Sequence, residues 1–355
     1  MTTPQMFKIS LTARYIALSA AVALAIIAYT VYWFKLADRI ELGFTAWADA
    51  RRAQGMVIEY STFEITGFPL RVQPQITNVR LAGPGQNPAW QWQSARLTAN
   101  VLPYNLNHIV LSAPDPQDIS LRINDGELEQ YRLAPLNARA SLAVAHGKIA
   151  RMDLDIEGGT LSGGRLLANV LTLGRAQLHT RDAEDGVPHG LQDPALFDIS
   201  FKLENLEYPG FTGSALGAHL TSFAAMGAIE GAWPVANGIA GIRKWRDDGG
   251  VAQVKAAEID WGPLKLSAAG TLALDAQDRL IGSLNANLVH YEGLIKALHD
   301  AGQLKKDEAA AASTGLGIIA MASGGKNGAL TLPMTLQDGA MFIGPLRVAK
   351  LKPLY

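Results

Sequence analysis

The most restrictive feature of the chain is an uncharged run of twenty residues near its N-terminus, Tyr15 to Phe34. As a helix rising 1.5 Å per residue, the run would be about 30 Å long, which is the thickness of a bilayer's hydrocarbon core. Arg14 and Lys35 bound the run, and aromatic residues lie near both of its ends, where such rings prefer the headgroup region. The alternative is a cleaved secretory signal, but the apolar core of such a signal is typically only about 7–15 residues long. We therefore expect an uncleaved transmembrane helix over 15–34.

The charges around this run predict its orientation. The tail, residues 1–14, carries Lys8 and Arg14 and no acidic residue, which favours a cytoplasmic tail with the rest of the chain across the membrane. A second helical segment is predicted over 35–55, because its apolar residues recur at three- and four-residue spacing and so share one face: Leu36, Ile40, Phe44 and Trp47. We expect this face to cap the domain that follows.

From Met56 onward the apolar period changes from about 3.6 residues to 2, which indicates strands. The candidate strands, separated by turns rich in Gly and Pro, are 57–65, 70–81, 90–101, 108–113, 119–123, 138–146, 148–157, 166–180, 196–207, 251–261, 264–274, 280–290, 330–336 and 341–348. Gly158-Gly159 is expected to end one of them, and Asp338-Gly339 predicts a terminal hairpin turn. The stretch 211–233 has no clear period.

Strands at such regular intervals predict an antiparallel meander. Helices are expected at 237–248, 291–301 and 305–322, the last being alanine-rich. The expected fold is therefore mainly β within the α+β class: a long curved antiparallel sheet with a few covering helices, preceded by one N-terminal transmembrane helix. Residues 56–355 would form this β-rich domain, either as one unit or as two subdomains divided near 210–235.

Composition and motifs exclude several classes of function. The net charge of −1 gives no electrostatic basis for binding nucleic acid. The absence of cysteine is compatible with an exported domain. The Gly-x-Ser-x-Gly motif of hydrolases is missing, and Gly324-Gly325-Lys326 matches only part of a phosphate-binding loop. We expect no enzymatic activity and no cofactor.

A cluster of potential metal ligands lies in one turn-rich stretch: His179, Asp182, Glu184, Asp185 and His189. Imidazole and carboxylate groups are suitable ligands, but their spacing matches no recognised metal motif. A solvated loop between two strands has the same composition. We therefore predict a loop and no metal site.

Several short motifs follow the apolar run in order: Gly67-Phe68-Pro69-Leu70-Arg71, Trp90-Gln91-Trp92-Gln93, Leu102-Pro103-Tyr104-Asn105-Leu106-Asn107-His108, and Asp338-Gly339 with Gly344-Pro345-Leu346. With these motifs the chain resembles the uncharacterised alphaproteobacterial family known as domain of unknown function 2125 (DUF2125). The resemblance covers nearly all of the chain after the apolar run, and it implies no established activity and no catalytic residues. More loosely, the architecture is similar to that of AsmA-like envelope proteins, whose sheets curl into an apolar groove for lipids.

The apolar run and its flanking charges, together with these resemblances, predict a single-pass protein of the bacterial inner membrane, with a cytoplasmic N-terminus and a periplasmic bulk. Two functions are then open. The protein handles a lipid or another hydrophobic ligand in an apolar groove, with inner-membrane lipids as partners. Alternatively, it is a structural or assembly partner that recruits other envelope proteins along exposed strand edges. The sequence does not predict the oligomeric state.

Groove-lining candidates come from alternate positions of the best-patterned strands. They are Leu264, Leu266, Leu272, Leu274, Leu284, Leu288, Leu332 and Leu336. The alternative is that the same residues form an ordinary packed core, since alternating apolar strands are typical of both arrangements.

Overall fold

The structure is a computed structural model that describes residues 11–85, 87–122, 127–146, 148–165, 167–182, 195–231, 238–322, 329–343 and 346–354. Its α-helices are α1 (Leu11–Ala53), α2 (Gly238–Asp247), α3 (Tyr291–Asp300) and α4 (Lys306–Ala322), and a short 3₁₀ helix spans Pro209–Phe211. Its strands are β1 (Val57–Glu59), β2 (Thr62–Thr66), β3 (Gln73–Ala82), β4 (Trp90–Leu102), β5 (Asn105–Ser112), β6 (Gln117–Arg122), β7 (Leu128–Ala145), β8 (Lys148–Gly163), β9 (Leu167–Asp182), β10 (Ala195–Glu207), β11 (His219–Glu230), β12 (Val251–Trp261), β13 (Leu264–Leu274), β14 (Leu280–Val289), β15 (Ala329–Gln337), β16 (Ala340–Ile343) and β17 (Leu346–Lys350).

The strands form one antiparallel meander, so the predicted mainly β class is confirmed. From β7 to β17 each strand pairs with its neighbour in the chain. Near the start, β1 and β2 both pair with β3, and β5 and β6 together fill the place between β4 and β7. Every connection is local, so the order of the chain is the order of the sheet.

Four strand predictions were wrong in their extent. The strand predicted over 57–65 is two short strands, β1 and β2, which both pair with β3. The strand predicted over 138–146 begins ten residues earlier, at Leu128. β8 does not end at Gly158-Gly159 but continues to Gly163, because Gly159 adopts φ +125° and lies where a Cβ would approach the carbonyl oxygen of Ala134 within 2.4 Å. The glycine thus keeps β7 and β8 paired where the sequence suggested a break. The single strand predicted over 341–348 is instead two strands, β16 and β17, which pair with each other. Proline has no N–H for a strand ladder, and Pro345 lies outside the described residues, between the two strands.

The stretch without a clear period contains β11. Phe223, Ala225 and Ile229 point to one side of the sheet, but Ala224 and Met226 on the other side are apolar as well. With apolar residues on both sides, polar and apolar positions do not alternate, and so the period-2 signal is lost. By contrast, β12, β13 and β14 lie within one residue of their predicted ranges.

Helix α1 is continuous across the two segments predicted separately at 15–34 and 35–55. It is long and apolar enough to span a membrane, and a signal sequence passes the same test. From the end of the apolar run onward it packs on the sheet: Trp33, Leu36 and Ala37 are buried around Val72, and the ring of Phe44 stacks on that of Phe63 at 4.7 Å.

Helices α3 and α4 lie toward the other end of the sheet, and α2 lies beside β11, nearer its middle. α3 and α4 pack on β14 and β15, where Tyr291 and Ile295 form a buried cluster with Leu288, Leu330 and Leu332. α2 is fixed to the end of β11 by the indole of Trp245, whose Nε1 donates to the Glu230 carbonyl oxygen at 2.7 Å. Helices therefore contact the sheet near both of its ends.

Candidate functional site

One face of the sheet is apolar across eleven neighbouring strands. From β4 to β15, omitting only the short β6, the residues directly opposite one another form a row that we call the apolar row: Ala99, Leu111, Ala140, Leu154, Leu178, Phe201, Ala225, Ala257, Ala268, Ala286 and Leu332. Strands lie about 4.8 Å apart, so the row measures about 48 Å along the sheet. The face that contains it is called the apolar face below.

The residue next to each member of the apolar row points to the opposite face of the sheet. These neighbouring residues form a second row, which is polar at ten of its eleven positions. That row is Thr98, Ser112, Arg139, Asp155, Gln177, Lys202, Ala224, Glu258, Ser267, Asn287 and Thr331. Successive residues of a strand point to opposite faces, so the chain has sorted its polar and apolar residues onto two sides of one sheet.

Helices cover the apolar face at its two ends. α1 packs on it at the β2–β3 end through Trp33, Leu36 and Ala37, and α3 and α4 pack on it at the β13–β15 end. Between these ends the described helices cover less of the sheet: a short 3₁₀ helix, Pro209–Phe211, lies beside β9, and α2 contacts the end of β11 through Trp245. Apolar side chains there are half-buried, and they include Met152, Leu154, Ile156, Leu178, Ile199, Phe201, Leu203, Phe223, Ile259 and Trp261.

A cavity of about 550 Å³ lies between α1 and the apolar face. Helix α1 contributes Ile40, Phe44 and Trp47 to its wall, and the sheet contributes Phe63, Pro74, Ile76, Leu97, Ala99, Val101, Leu106, Ile109, Leu111, Leu142 and Ile149. All of these side chains are apolar, and the volume falls within the range typical of small-molecule sites. The cavity adjoins the uncovered part of the face through Leu142, which is paired with Met152 of β8.

The eight groove candidates from the sequence all lie on this face, on β13, β14 and β15. Leu288, Leu332 and Leu336 are buried, and Leu264 and Leu266 pack against the cluster beneath α3 and α4. Leu272 and Leu284 pack against a second cluster around Ala268, Ala286 and Met334. Leu274 is half-buried at the end of β13. The packed-core alternative thus describes most of these residues, and a role for them in contacting a ligand stays a prediction.

The uncovered strands and the cavity were not identified from the sequence. The signal that was available is the alternation in β10, where Phe197, Ile199, Phe201 and Leu203 share one face. Alternation shows which residues share a face but not which part of that face the helices leave open. That choice depends on where α1, α3 and α4 pack.

Ion pairs between neighbouring strands cover the polar face. Arg175 donates from Nε and from a terminal nitrogen to the two oxygens of Asp155, each at 2.8 Å, and these hydrogen bonds lower the pKa of Asp155. The Asp153 carboxylate accepts from Nδ1 of His179 at 2.7 Å and from Arg151. Partial burial opposes ionisation of Asp153, but the hydrogen bonds from His179 and Arg151 outweigh it and lower its pKa. The contacts of Arg175 and His179 with the two aspartates join β9 to β8 and act as cross-strand stabilisation.

The predicted cluster of metal-ligand types extends beyond the described residues, since Glu184, Asp185 and His189 all lie outside them. His179 and Asp153 point to the polar face. Asp182 is three residues after His179 on β9 and therefore points to the opposite face. Within the described ranges no group of three or more His, Asp or Glu side chains is placed to hold a metal ion.

Comparison with known proteins gives one match. The model of a family described as "Uncharacterized protein conserved in bacteria (DUF2125)" matches residues 33–352. No curated protein and no solved structure matches the chain. The matched region begins at Trp33 and includes the part of α1 that packs on the sheet, all the strands and both covered ends of the apolar face.

Proposed function

The chain belongs to the uncharacterised bacterial family DUF2125, and on that premise we propose that it is a membrane-anchored envelope protein that binds the acyl chain of a lipid along its apolar face. The half-buried apolar residues of β8 to β12, between two helix-covered ends, carry this proposal. Keeping apolar side chains in contact with water is unfavourable, and extended apolar surfaces of this kind mark binding sites.

The shape and chemistry of the surface favour a long apolar ligand. The apolar row contains only Ala, Leu and Phe over about 48 Å. Such side chains offer dispersion contacts along a chain but no hydrogen bond or charge for a polar ligand. They also include no nucleophile, acid or base, which supports binding without catalysis.

The position of the cavity supports a lipid as this ligand. One wall of the cavity is the stretch of α1 from Ile40 to Trp47, which begins six residues after the apolar run at 15–34 ends. A helix that spans the membrane would place the cavity just outside the bilayer, next to a supply of acyl chains. We propose that this side is the periplasm, because the basic tail favours a cytoplasmic N-terminus.

Contacts at the end of the run support an uncleaved anchor. Trp33 is 3% exposed, and its Nε1 donates to the Arg71 carbonyl oxygen at 3.1 Å. Tyr32 donates its hydroxyl to the Pro103 carbonyl oxygen at 2.6 Å. Signal cleavage near residue 30 would remove Tyr29, whose hydroxyl donates to the Pro69 carbonyl oxygen, and would leave the other two contacts at a new helix end. A chain that relies on them is expected to keep the helix.

The alternative function is recruitment of partner proteins along strand edges. The composition of the edge strand β17 argues against it. That strand pairs only with β16 and exposes Arg347 and Lys350. Charged side chains on an edge discourage the addition of another strand. Partner proteins of the envelope stay a prediction.

The decisive experiment is photo-crosslinking in cells. Phe201 of the apolar row is replaced by p-benzoylphenylalanine in the full chain, the cells are irradiated, and the purified protein is analysed by intact mass spectrometry. We expect adducts with the mass of a phospholipid or fatty acid, because the substituted ring lies on the uncovered face.

The matched control places the same photo-reactive residue at Lys202. Lys202 is the next residue of β10 and points to the polar face, so it should give no lipid adduct. Equal adduct formation at the two positions would indicate general proximity to membrane. The absence of adducts at position 201 would reject lipid binding on this face.

A further inference from the structure

Two turns of the sheet are hydrogen-bonded to side chains near the C-terminal end of the apolar run. The hydroxyl of Tyr29 donates a hydrogen bond to the Pro69 carbonyl oxygen, and the hydroxyl of Tyr32 donates one to the Pro103 carbonyl oxygen. Trp33 adds the hydrogen bond to Arg71. We call the segments 67–71, between β2 and β3, and 102–106, at the β4–β5 connection, the membrane-end turns.

Aromatic packing fixes the first of these turns at the same level of the helix. The ring of Phe68 stacks on that of Phe34 at 5.8 Å and meets the edge of Trp33 at 5.4 Å. Gly67 allows this close turn, since its φ is +98° and a Cβ would lie 2.7 Å from the Arg71 carbonyl oxygen. The turn is therefore held against the helix by packing as well as by hydrogen bonds.

The level of these contacts lies inside the predicted span. Tyr29 precedes Phe34 by five residues, which corresponds to about 7.5 Å along a helix. If the hydrocarbon core begins near Phe34, the Pro69 carbonyl lies several ångströms below its boundary. The turns are thus placed at the depth of the glycerol groups and upper acyl chains.

Side chains on both turns suit that environment. Leu70 is 79% exposed and Tyr104 is 83% exposed, and Phe68, Leu102 and Leu106 are also exposed. Five large apolar or aromatic residues on two adjacent turns form an apolar patch of the kind that marks a membrane contact. A tyrosine hydroxyl at this depth can reach the headgroup region.

We propose that the membrane-end turns insert into the leaflet from which α1 leaves the bilayer, with Leu70 and Tyr104 contacting phospholipid acyl chains. Insertion at this end would hold the sheet upright on the membrane. Leu106 lines the cavity and also belongs to the second turn, so the cavity would begin at the surface of the leaflet. The proposal concerns the membrane contact itself and does not depend on lipid bound to the apolar face.

Depth-dependent fluorescence quenching tests the insertion. The chain has no cysteine, so Leu70→Cys and Tyr104→Cys each provide one labelling site in the full chain. Each variant is labelled with the environment-sensitive dye NBD and reconstituted into phosphatidylcholine–phosphatidylglycerol vesicles, with or without lipid carrying a doxyl quencher at acyl carbon 5. We expect blue-shifted emission and loss of most of the fluorescence at both positions.

Leu136→Cys is the matched control. His146 lies at the β7–β8 turn, at the same end of the sheet as the membrane-end turns. Leu136 is 82% exposed and lies ten residues before His146 along β7, so it is about 30 Å from this end of the sheet. Its label should stay unquenched. Quenching at 136 equal to that at 70 would contradict an upright sheet, and an unquenched label at 70 or at 104 would contradict insertion of that turn. All three sites are highly exposed, so labelling should leave the fold intact.

Discussion

Leu178 and Leu332 occupy equivalent positions of the apolar row but differ in what covers them. Leu332 is 5% exposed and packs with Tyr291 and Ile295 beneath α3 and α4. Leu178, near the middle of the row, is half-buried and belongs to none of the buried clusters described above. At the scale of the residue, the same side chain therefore has two roles: packing at one position and binding, as we propose, at the other.

Truncation should separate these roles. Leu332→Ala should destabilise the protein by about 3 kcal/mol, because it leaves a cavity in a packed cluster. Leu178→Ala should cost about 1 kcal/mol or less, since the side chain is only partly removed from water. Thermal unfolding followed by tryptophan fluorescence measures both. In a crosslinking background with p-benzoylphenylalanine at 201, Leu178→Ala should reduce lipid adducts.

The opposite result would show that the middle of the face is an ordinary core. If Leu178→Ala destabilises the protein as much as Leu332→Ala does, another part of the chain must cover Leu178. The uncovered-face proposal would then have to be abandoned.

Asp155 on the polar face predicts a dependence of stability on pH. Hydrogen bonds from Arg175 lower its pKa in the folded protein, so its carboxylate stabilises the fold above the unfolded-state pKa of about 4 and loses that effect as the pH falls through the folded-state value. Asp155→Asn should therefore lower the melting temperature at pH 7. Its difference from the parent protein should shrink below about pH 4.

Asp118→Asn provides the control for this measurement. The ion pair of Asp118 with Arg132, at 3.0 Å, has both side chains more than half exposed, and such pairs add little stability. We expect no measurable change at pH 7. A difference between Asp155→Asn and the parent that persists unchanged at pH 3 would show that the pair does not act through ionisation.

At the scale of the element, α1 has two functions along one continuous helix. Its first part is uncharged and long enough to cross a bilayer, and its second part is a wall of the cavity. Because Trp33, Leu36 and Ala37 are buried on the sheet, the folded unit begins within the helix rather than after it. A boundary at residue 56, which the change of period suggests, would remove that wall.

Two truncated chains test this boundary. A chain starting at Tyr32 keeps the buried residues and the cavity wall, whereas a chain starting at Met56 exposes Val72 and Phe63. The shorter chain should melt roughly 5 °C or more below the longer one. It should also bind more of the hydrophobic dye ANS. Equal melting temperatures would mean that α1 contributes nothing to the folded unit.

At the scale of the whole molecule, we propose that α1, the cavity and the apolar face form a continuous apolar path. The path starts at the membrane-end turns, passes the cavity beside α1 and continues over β8 to β12. The proposed function requires the sheet and the tail to lie on opposite sides of the membrane. Topology is therefore the first property of the whole molecule to measure.

Reporter fusions and mass spectrometry measure it together. Alkaline phosphatase, which is active only in the periplasm, should be active when fused after Tyr355, and green fluorescent protein at the same place should be dark after export through the Sec pathway. The purified protein should retain an N-terminal peptide from before residue 15. A mature N-terminus near residue 30 would instead indicate a cleaved signal and a protein without this anchor.

Much of the secondary structure could be predicted from the sequence because it depends on local patterns. The apolar run is readable from twenty consecutive residues, and β12 to β14 from simple alternation. The Asp-Gly sequence at 338–339 also predicted a hairpin turn, and both residues adopt the positive φ that this type of turn requires. The meander followed from these signals, because every strand pairs with a partner nearby in the chain.

What the sequence could not decide is which apolar residues are packed and which are left open. The eight leucines chosen for their regular alternation lie toward the end that α3 and α4 cover, and the half-covered residues lie on other strands. The cavity brings Phe44 together with Leu142, about a hundred residues away. Alternation reports only which face a side chain occupies, whereas its coverage depends on contacts between distant segments, and these exist only in the folded chain.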